Sequence, residues 1–319
     1  MSEKARRVAG LVMKLVLARQ RKLPGPEKCR EPRCDRCLSA HLDQVKRSVE
    51  AGRPVLFVLP AFPCKSPNEA KVLGNVPDLA EQLALESLDT LIGQIGAVHP
   101  PGAELVIASD GRVFGDILGI PDEDITIYRR ELQVMIDSLP QRRIRLIALD
   151  DFPGFARRSH DQARARLAEA YAEDLDTLRE RVRAGIDVAL YRAITRFLFE
   201  DRNTATYQGS RSALQRTARA RAYQMLQRSK AWGDLLVERY PGAVRLSIHP
   251  QPCGAPKLGI HLTETRDNWL TPWHSVAVDL GDRFVLMKRA EAEAAGAELV
   301  SLGERPSHFT MRQSRSQIA

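Results

Sequence analysis

The sequence predicts an α/β protein of Rossmann-like type, with a mostly parallel sheet, helices on both faces and a helical insertion. Three observations carry this. Short apolar or β-branched runs, "PVLFVL" (54–59), "AELVIAS" (103–109), "DITIY" (124–128) and "IRLIALD" (144–150), alternate with helical patterns such as 78–95; this is how a parallel sheet is buried between helices. From 156 to 200 the pattern turns helical and arginine-rich, and a second basic helix is expected over 211–230. After "YPGA" the strand runs return as "VRLSI" (244–248), "KLGIHL" (257–262), "SVAVDL" (275–280) and "RFVLMK" (283–288). One sheet interrupted at about 156–235 is therefore expected, with 1–52 as an N-terminal helical segment and 53–319 as a single Rossmann-like α/β domain.

The elements before the sheet follow from spacing and breakers. Val8, Leu11, Val12 and Leu15 recur at helical spacing, so residues 1–22 read as an amphipathic helix. "LPGPEKCREPRC" breaks it, and a second helix is expected over 39–51 with Ser39 at its N-cap. No repeat is present, and the last dozen residues are expected to fray.

Composition narrows the function. With 319 residues, 44% hydrophobic and 28% charged, the chain buries a sizeable core. A net charge of +8 and a pI near 9.4 favour an anionic partner. Nucleic acid is disfavoured, because aromatics are only 6% and Trp232, Trp269 and Trp273 make no stacking track. Arg157, Arg158, Arg164, Arg166, Arg179, Arg181 and Arg183 are interleaved with Glu169, Glu173, Asp174 and Glu180, the pattern of a solvated helix face. No run approaches the ~18 apolar residues of a membrane span. No secretory cleavage site follows the N-terminal helix, and five cysteines, an odd number, fit reduced thiols. The expectation is a cytoplasmic enzyme with neither a membrane nor a nucleic-acid partner.

Ligands of open parallel sheets bind beyond the carboxyl ends of the strands, so the residues there are the candidates. "VLFVLPAFPCKSPN" presents Lys65, Ser66 and Asn68; "SDGRVFGD" presents Asp110 and Arg112; "VRLSIHPQP", "GAPKLGIH" and "TPWH" present Arg245, Ser247, His249, Lys257, Thr271 and His274. Each stretch has an ordinary reading too: "SDG" is a common turn, Asp150 and Asp151 suit helix capping, and His249 before Pro250 can simply close a strand. Neither G-x-G-x-x-G after a strand, nor a P-loop, nor G-x-S-x-G occurs, which argues against nicotinamide, ATP and α/β-hydrolase chemistry.

"CREPRCDRCLSAH" sets Cys29, Cys34, Cys37 and His41 as C-x4-C-x2-C-x3-H. Three thiols and an imidazole can close a tetrahedral structural zinc site; unligated thiols are the alternative.

Taken together, "FVLPAFPCKSPN", "KVLGNVPDLAE", "PGAELVIASDGRVFGD", "VRLSIHPQP", "KLGIHL" and "TPWHSV" resemble the pyoverdine/dityrosine biosynthesis family in order from about Cys34 to Pro306, with the middle helical region weakly matched. The resemblance implies a Rossmann-like fold and an isonitrile synthase without a redox cofactor. The α-amine of L-tyrosine or L-tryptophan would condense with the C2 ketone of ribulose 5-phosphate, which leaves C2 as the isonitrile carbon. It also implies a downstream iron/2-oxoglutarate oxygenase as functional partner. A formamide-forming member of the family and, in another class, a basic nucleic-acid-binding protein remain the alternatives.

For that chemistry, His249 and His274 are the candidate acid and base. Lys65, Arg245 and Lys257 are candidates for holding phosphate and enolate charge, with a Schiff base on Lys65 as a second possibility. Ser66, Asn68, Asp110, Arg112, Ser247 and Thr271 are candidates for orienting hydroxyls and the head group. The basic helix over 211–230 offers Arg216 or Arg228 to the pocket.

Overall fold

The computed structural model describes residues 3–25, 29 and 34–311. Helices α1 (Glu3–Leu17) and α2 (Asp35–Glu50) lead into β1 (Val55–Pro60), α3 (Leu79–Val98), β2 (Ala103–Ala108), α4 (Gly111–Leu118), α5 (Asp122–Asp137) and β3 (Ile144–Ile147). Four helices follow, α6 (His160–Tyr171), α7 (Leu175–Arg183), α8 (Val188–Arg202) and α9 (Arg211–Arg239), then β4 (Val244–Ser247) and β5 (Leu258–Gly259). The chain continues through β6 (Val276–Asp279), β7 (Phe284–Met287), α10 (Arg289–Ala294), β8 (Glu298–Leu302) and β9 (Arg305–Thr310).

Strands β1 to β5 form a parallel sheet in the order β3-β2-β1-β4-β5. Val55, Phe57, Val58 and Leu59 of β1 are all buried, as both faces of a central parallel strand must be. The chain adds β2 and β3 on one side of β1, then returns through α6 to α9 and adds β4 on the other. The order therefore reverses between β1 and β4, which opens a crevice at their carboxyl ends. Helix α3 runs from a capping box in which Asp78 accepts from Ala80 N–H at 2.8 Å and Glu81 accepts from Asp78 N–H at 3.0 Å.

Several expectations are corrected. "DITIY" is not a strand but lies in α5: Pro121 precedes the helix, Asp122, Glu123 and Asp124 occupy its first turn, where acids suit the helix dipole, and Ile125, Tyr128, Leu132 and Ile136 are buried at helical spacing. The second helix begins at Asp35 with Cys34 at the N-cap, while Ser39 lies inside it and donates to Arg36 O at 3.3 Å. The first helix ends at Leu17 and α9 runs on to Arg239. Of the late runs, "VRLSI" and "KLGIHL" supply β4 and β5 of the first sheet, but "SVAVDL" and "RFVLMK" do not extend it; as β6 and β7 they join a second, mixed sheet in the order β7-β6-β9-β8. The reason is local. The edge beyond β5 is covered by the N-terminal segment, with Arg21 N–H donating to Gly259 O at 2.7 Å and Gln20 bridged to Ile260, so no further strand can pair there. Fraying is not seen as far as Thr310, which ends β9; residues 312–319, on which the rest of that expectation falls, lie outside the described residues.

Candidate active site

A cavity of about 480 Å³ occupies the crevice between β1 and β4, and α8, α9 and the "TPWH" turn complete its wall. Lys65, Ser66, Asp110, Arg245, Ser247, His249, Lys257, Thr271 and His274 all line it. Asn68 and Arg112 do not. Asn68 folds its own loop, accepting from Ala70 N–H at 2.9 Å and donating to Glu200 O at 2.6 Å. Arg112 turns away from the cavity and donates to Asp122 O at 2.8 Å and Thr126 Oγ1 at 2.6 Å.

The loop after β1 is held in an unusual shape. Phe62 adopts φ 58°, a left-handed conformation that costs a bulky residue on the order of 1–3 kcal/mol. Its surroundings enforce it: Ser109 Oγ donates to Phe62 O at 2.8 Å, and the buried ring packs on Trp273 at 5.2 Å between centroids. That turn delivers Lys65 into a closed ionic triad, 2.8 Å from Asp78 Oδ2 and 2.7 Å from Glu81 Oε2. Burial opposes the ammonium charge, but the two carboxylates overcome it and hold Lys65 above its usual range. Burial likewise lifts Glu81 to about 7. A lysine locked as a cation between two acids ties the loop to the start of α3 and makes a poor Schiff-base nucleophile.

The polar centre is built around a residue that strand-end reasoning missed. Asp201, buried on α8, accepts from Ser66 Oγ at 2.7 Å and Lys71 Nζ at 2.6 Å, and lies 3.6 Å from His274 Nε2. On the other side of that ring, Thr271 Oγ1 is 2.9 Å from His274 Nδ1. Burial opposes ionisation of Asp201, yet His274 and Lys71 hold it well below the carboxylate range. Burial lowers His274 more than Asp201 raises it, so the imidazole is neutral and backed by an anion, as a general base should be. His249 is driven down to about 3 by burial, with Arg21 and Lys257 adding to the effect. Its Nδ1 has no hydrogen-bond partner among the described residues. Asp110 Oδ1 is also closed off and unbonded, and burial lifts Asp110 to about 7.

Two cations converge at the far wall. Arg245 Nη2 donates to Gly233 O at 3.2 Å, and a Cβ on Gly233 would stand 2.9 Å from that nitrogen and 3.6 Å from Lys257 Nζ. Burial, then Arg245, lowers Lys257 to about 8. Neither cation has a carboxylate partner within ion-pair distance among the described residues. Leu190, Ile194, Phe197, Met225, Leu226 and Trp269 supply an apolar wall.

The basic helices contribute less than their arginine count suggested. Arg228 lies outside the cavity lining, 2.8 Å from Asp116 Oδ2, and Arg216 does not line it either. Arg166 pairs with Glu169 and Arg179 with Asp176, as on solvated faces, but Arg164 is buried against Asp122 and Arg181 lines the cavity, 2.9 Å from Asp187 Oδ2, so these two depart from that expectation. Asp150 and Asp151 pair with Arg129, and Asp151 accepts from Ala148 N–H at 2.8 Å.

The cysteine cluster is corrected in one member. Cys29, Cys34 and Cys37 do come together, but their fourth neighbour is Cys253 from the loop after β4. His41 is buried next to Ala255, and its Nε2 is unbonded among the described residues.

The same arrangement of sequence is found in known proteins. The family model described as pyoverdine/dityrosine biosynthesis protein matches residues 45–300. An L-tyrosine isonitrile synthase of Pseudomonas aeruginosa is 50% identical over 273 residues, 85% of this chain and 83% of the relative. An L-tryptophan isonitrile synthase of Fischerella ambigua is 39% identical over 299 residues, 93% of this chain and 90% of the relative. The crystal structure of PvcA from Pseudomonas aeruginosa superposes with a TM-score of 0.90 at 46% identity, covering 95% of this chain and 99% of that one. With the crevice, its ionisable groups and these likenesses in agreement, the chain belongs to the pyoverdine/dityrosine biosynthesis family, among its isonitrile synthases.

Proposed function

We propose that the cavity condenses the α-amine of an aromatic L-amino acid with the C2 ketone of ribulose 5-phosphate and breaks the C1–C2 and C2–C3 bonds of the adduct. This leaves C2 on nitrogen as an isonitrile, while C1 departs as formaldehyde, C3 to C5 depart as a three-carbon ketol, and phosphate and water are released. The observation that carries this is the pairing, within one cavity, of two cations, Arg245 and Lys257, that have no carboxylate within ion-pair distance among the described residues, with a neutral His274 backed by Asp201. A phosphate accepting from both cations would offset their burial. The apolar wall suits an aromatic side chain, and relatives named for L-tyrosine and L-tryptophan support that substrate class.

The amine must be neutral to attack a ketone. His274 is the group we assign to take its proton, because the imidazolium that forms is stabilised by Asp201 at 3.6 Å. Asp110, near 7, carries a proton for part of its population at neutral pH and is assigned to protonate the departing carbinolamine oxygen. His249 and Ser247 would orient sugar hydroxyls, while Lys65 maintains the loop. The decisive experiment supplies ribulose 5-phosphate labelled with 13C at C2 and each of the twenty amino acids, traps isonitrile with a tetrazine and reads the mass. Label in the isonitrile carbon with an aromatic amino acid is expected. No consumption of pentulose phosphate with any amino acid would end the reading.

A further inference from the structure

The thiol cluster lies outside the cavity and has no part in the reaction proposed above. The Sγ atoms of Cys29, Cys34, Cys37 and Cys253 all lie within 4.8 Å of one another. Three of the separations are 3.9 Å for Cys29 to Cys37, 3.8 Å for Cys37 to Cys253 and 3.4 Å for Cys34 to Cys253. Four sulfurs bound to zinc at about 2.3 Å stand about 3.8 Å apart along each edge of the tetrahedron. The cluster is thus close to the size that a metal would impose. We propose that Cys29, Cys34, Cys37 and Cys253 bind one structural zinc ion that clamps the N-terminal segment onto the active-site loop after β4.

The surroundings are those of a closed site. Cys29, Cys34 and Cys37 are buried and Cys253 is half-buried, and none of the four lines the cavity. Four protein ligands leave no open position for substrate or water, which separates a structural site from a catalytic one. The backbone N–H groups of Arg36 and Cys37 donate to Cys34 Sγ, and Lys22 Nζ donates to Cys29 O at 3.2 Å. The two backbone donors orient a thiolate ligand and offset its charge, while Lys22 fixes the backbone of Cys29. Thiolate softness and tetrahedral spacing favour zinc over the harder divalent ions.

The position of Cys253 gives the ion its role. It stands between the cavity residues His249 and Gln251 on one side and Lys257 on the other. The loop is otherwise tied to the N-terminal segment by Leu23 N–H to Gln251 O at 3.0 Å and Gln251 N–H to Arg21 O at 3.2 Å. The ion would add a further tie, four residues from each of His249 and Lys257 in opposite directions along the chain, to the start of α2.

The test is elemental analysis of full-length protein purified without added metal or chelator, together with zinc-edge X-ray absorption. About one zinc per chain with four sulfur scatterers near 2.3 Å is expected. Cys253→Ser should lose the zinc and His41→Asn should keep it. Less than about 0.1 equivalent of zinc, iron in its place, or a nitrogen scatterer in the first shell would overturn the proposal, since an ion of this kind normally stays through purification. If Cys253→Ser does not fold, the absorption spectrum of the wild type still decides.

Discussion

Asp110 sits at the N-cap of α4 with one carboxylate oxygen closed off and unbonded among the described residues, and the consequence is a measurable pH dependence. Its pKa rises from 3.8 to about 7, so the folded protein holds a proton that the unfolded chain releases between those values. Ionised Asp110 therefore costs stability progressively as pH rises from about 4 to 7, with no further change above. Asp110→Asn removes this slope: relative to wild type it should gain about 1–3 kcal/mol across that window in urea denaturation. Glu81, also lifted to about 7, is common to both proteins and cancels. The same variant should lose about a hundredfold or more in turnover if Asp110 carries the proton. Lys257 predicts the opposite limb. Lowered to about 8, its ammonium is lost above that pH, so kcat/KM for the phosphosugar should fall by up to about tenfold per unit there. Lys257→Arg, charged throughout, should move that limb upward; an unmoved limb would exclude Lys257 from anion binding. His249, His274 and Lys257 were legible in the sequence because imidazole and ammonium groups beside proline or glycine at strand boundaries are unusual: His249 follows β4, Lys257 leads into β5 and His274 precedes β6. Asp201 was not, because "FEDR" within a charged helix looks like any solvated stretch, and only its contacts with Ser66, Lys71 and His274 set it apart.

At the scale of elements, packing explains sequence features that propensity leaves open. A Cβ on Gly111 would stand 2.1 Å from the Pro63 carbonyl oxygen and 2.9 Å from Ile125 Cγ2, so the "DG" pair is required where α4 starts against the loop after β1. Gly111→Ala should destabilise the protein by about 3 kcal/mol or more, since backbone must shift to admit the methyl group. Gly10, on α1 with nothing within 4 Å of its Cβ position, gives the contrast: Gly10→Ala should stabilise by about 0.5–1 kcal/mol through helix propensity. Equal effects at the two positions, read by chemical denaturation, would contradict this packing. The strands β1, β2, β3 and β4 were readable from apolar runs. "DITIY" was misread because five residues of alternating apolar character fit strand and helix alike, and the acidic first turn and Tyr128 in the core decide for α5.

For the whole molecule, Arg21 joins parts that are far apart in sequence. Its guanidinium donates to Ile248 O and, at 2.8 Å, to Leu270 O, and it is buried at 3% exposure, with burial lowering it to about 10. Arg21→Met would leave two buried carbonyls unpaired, and a loss of about 2–5 kcal/mol is expected. A change under about 0.5 kcal/mol in denaturant midpoint analysis would show that water replaces those bonds. Because the same segment covers the edge of β5 and bonds to Ile248 and Gln251, the N-terminal residues brace the cavity-lining loop after β4 from outside the cavity.

By itself the sequence determined the α/β class, the strands of the parallel sheet and the polar groups at their carboxyl ends, because hydrophobic periodicity and turn chemistry are local properties. The tertiary structure decided the rest: the strand-order reversal between β1 and β4, the split into two sheets, the entry of Asp201 into the site and the choice of Cys253 over His41 as the fourth member of the thiol cluster. Each of these joins residues separated by long stretches of chain. Their proximity arises only when burial of the whole apolar core selects one way of packing the helices and strands, and local pattern does not encode that choice.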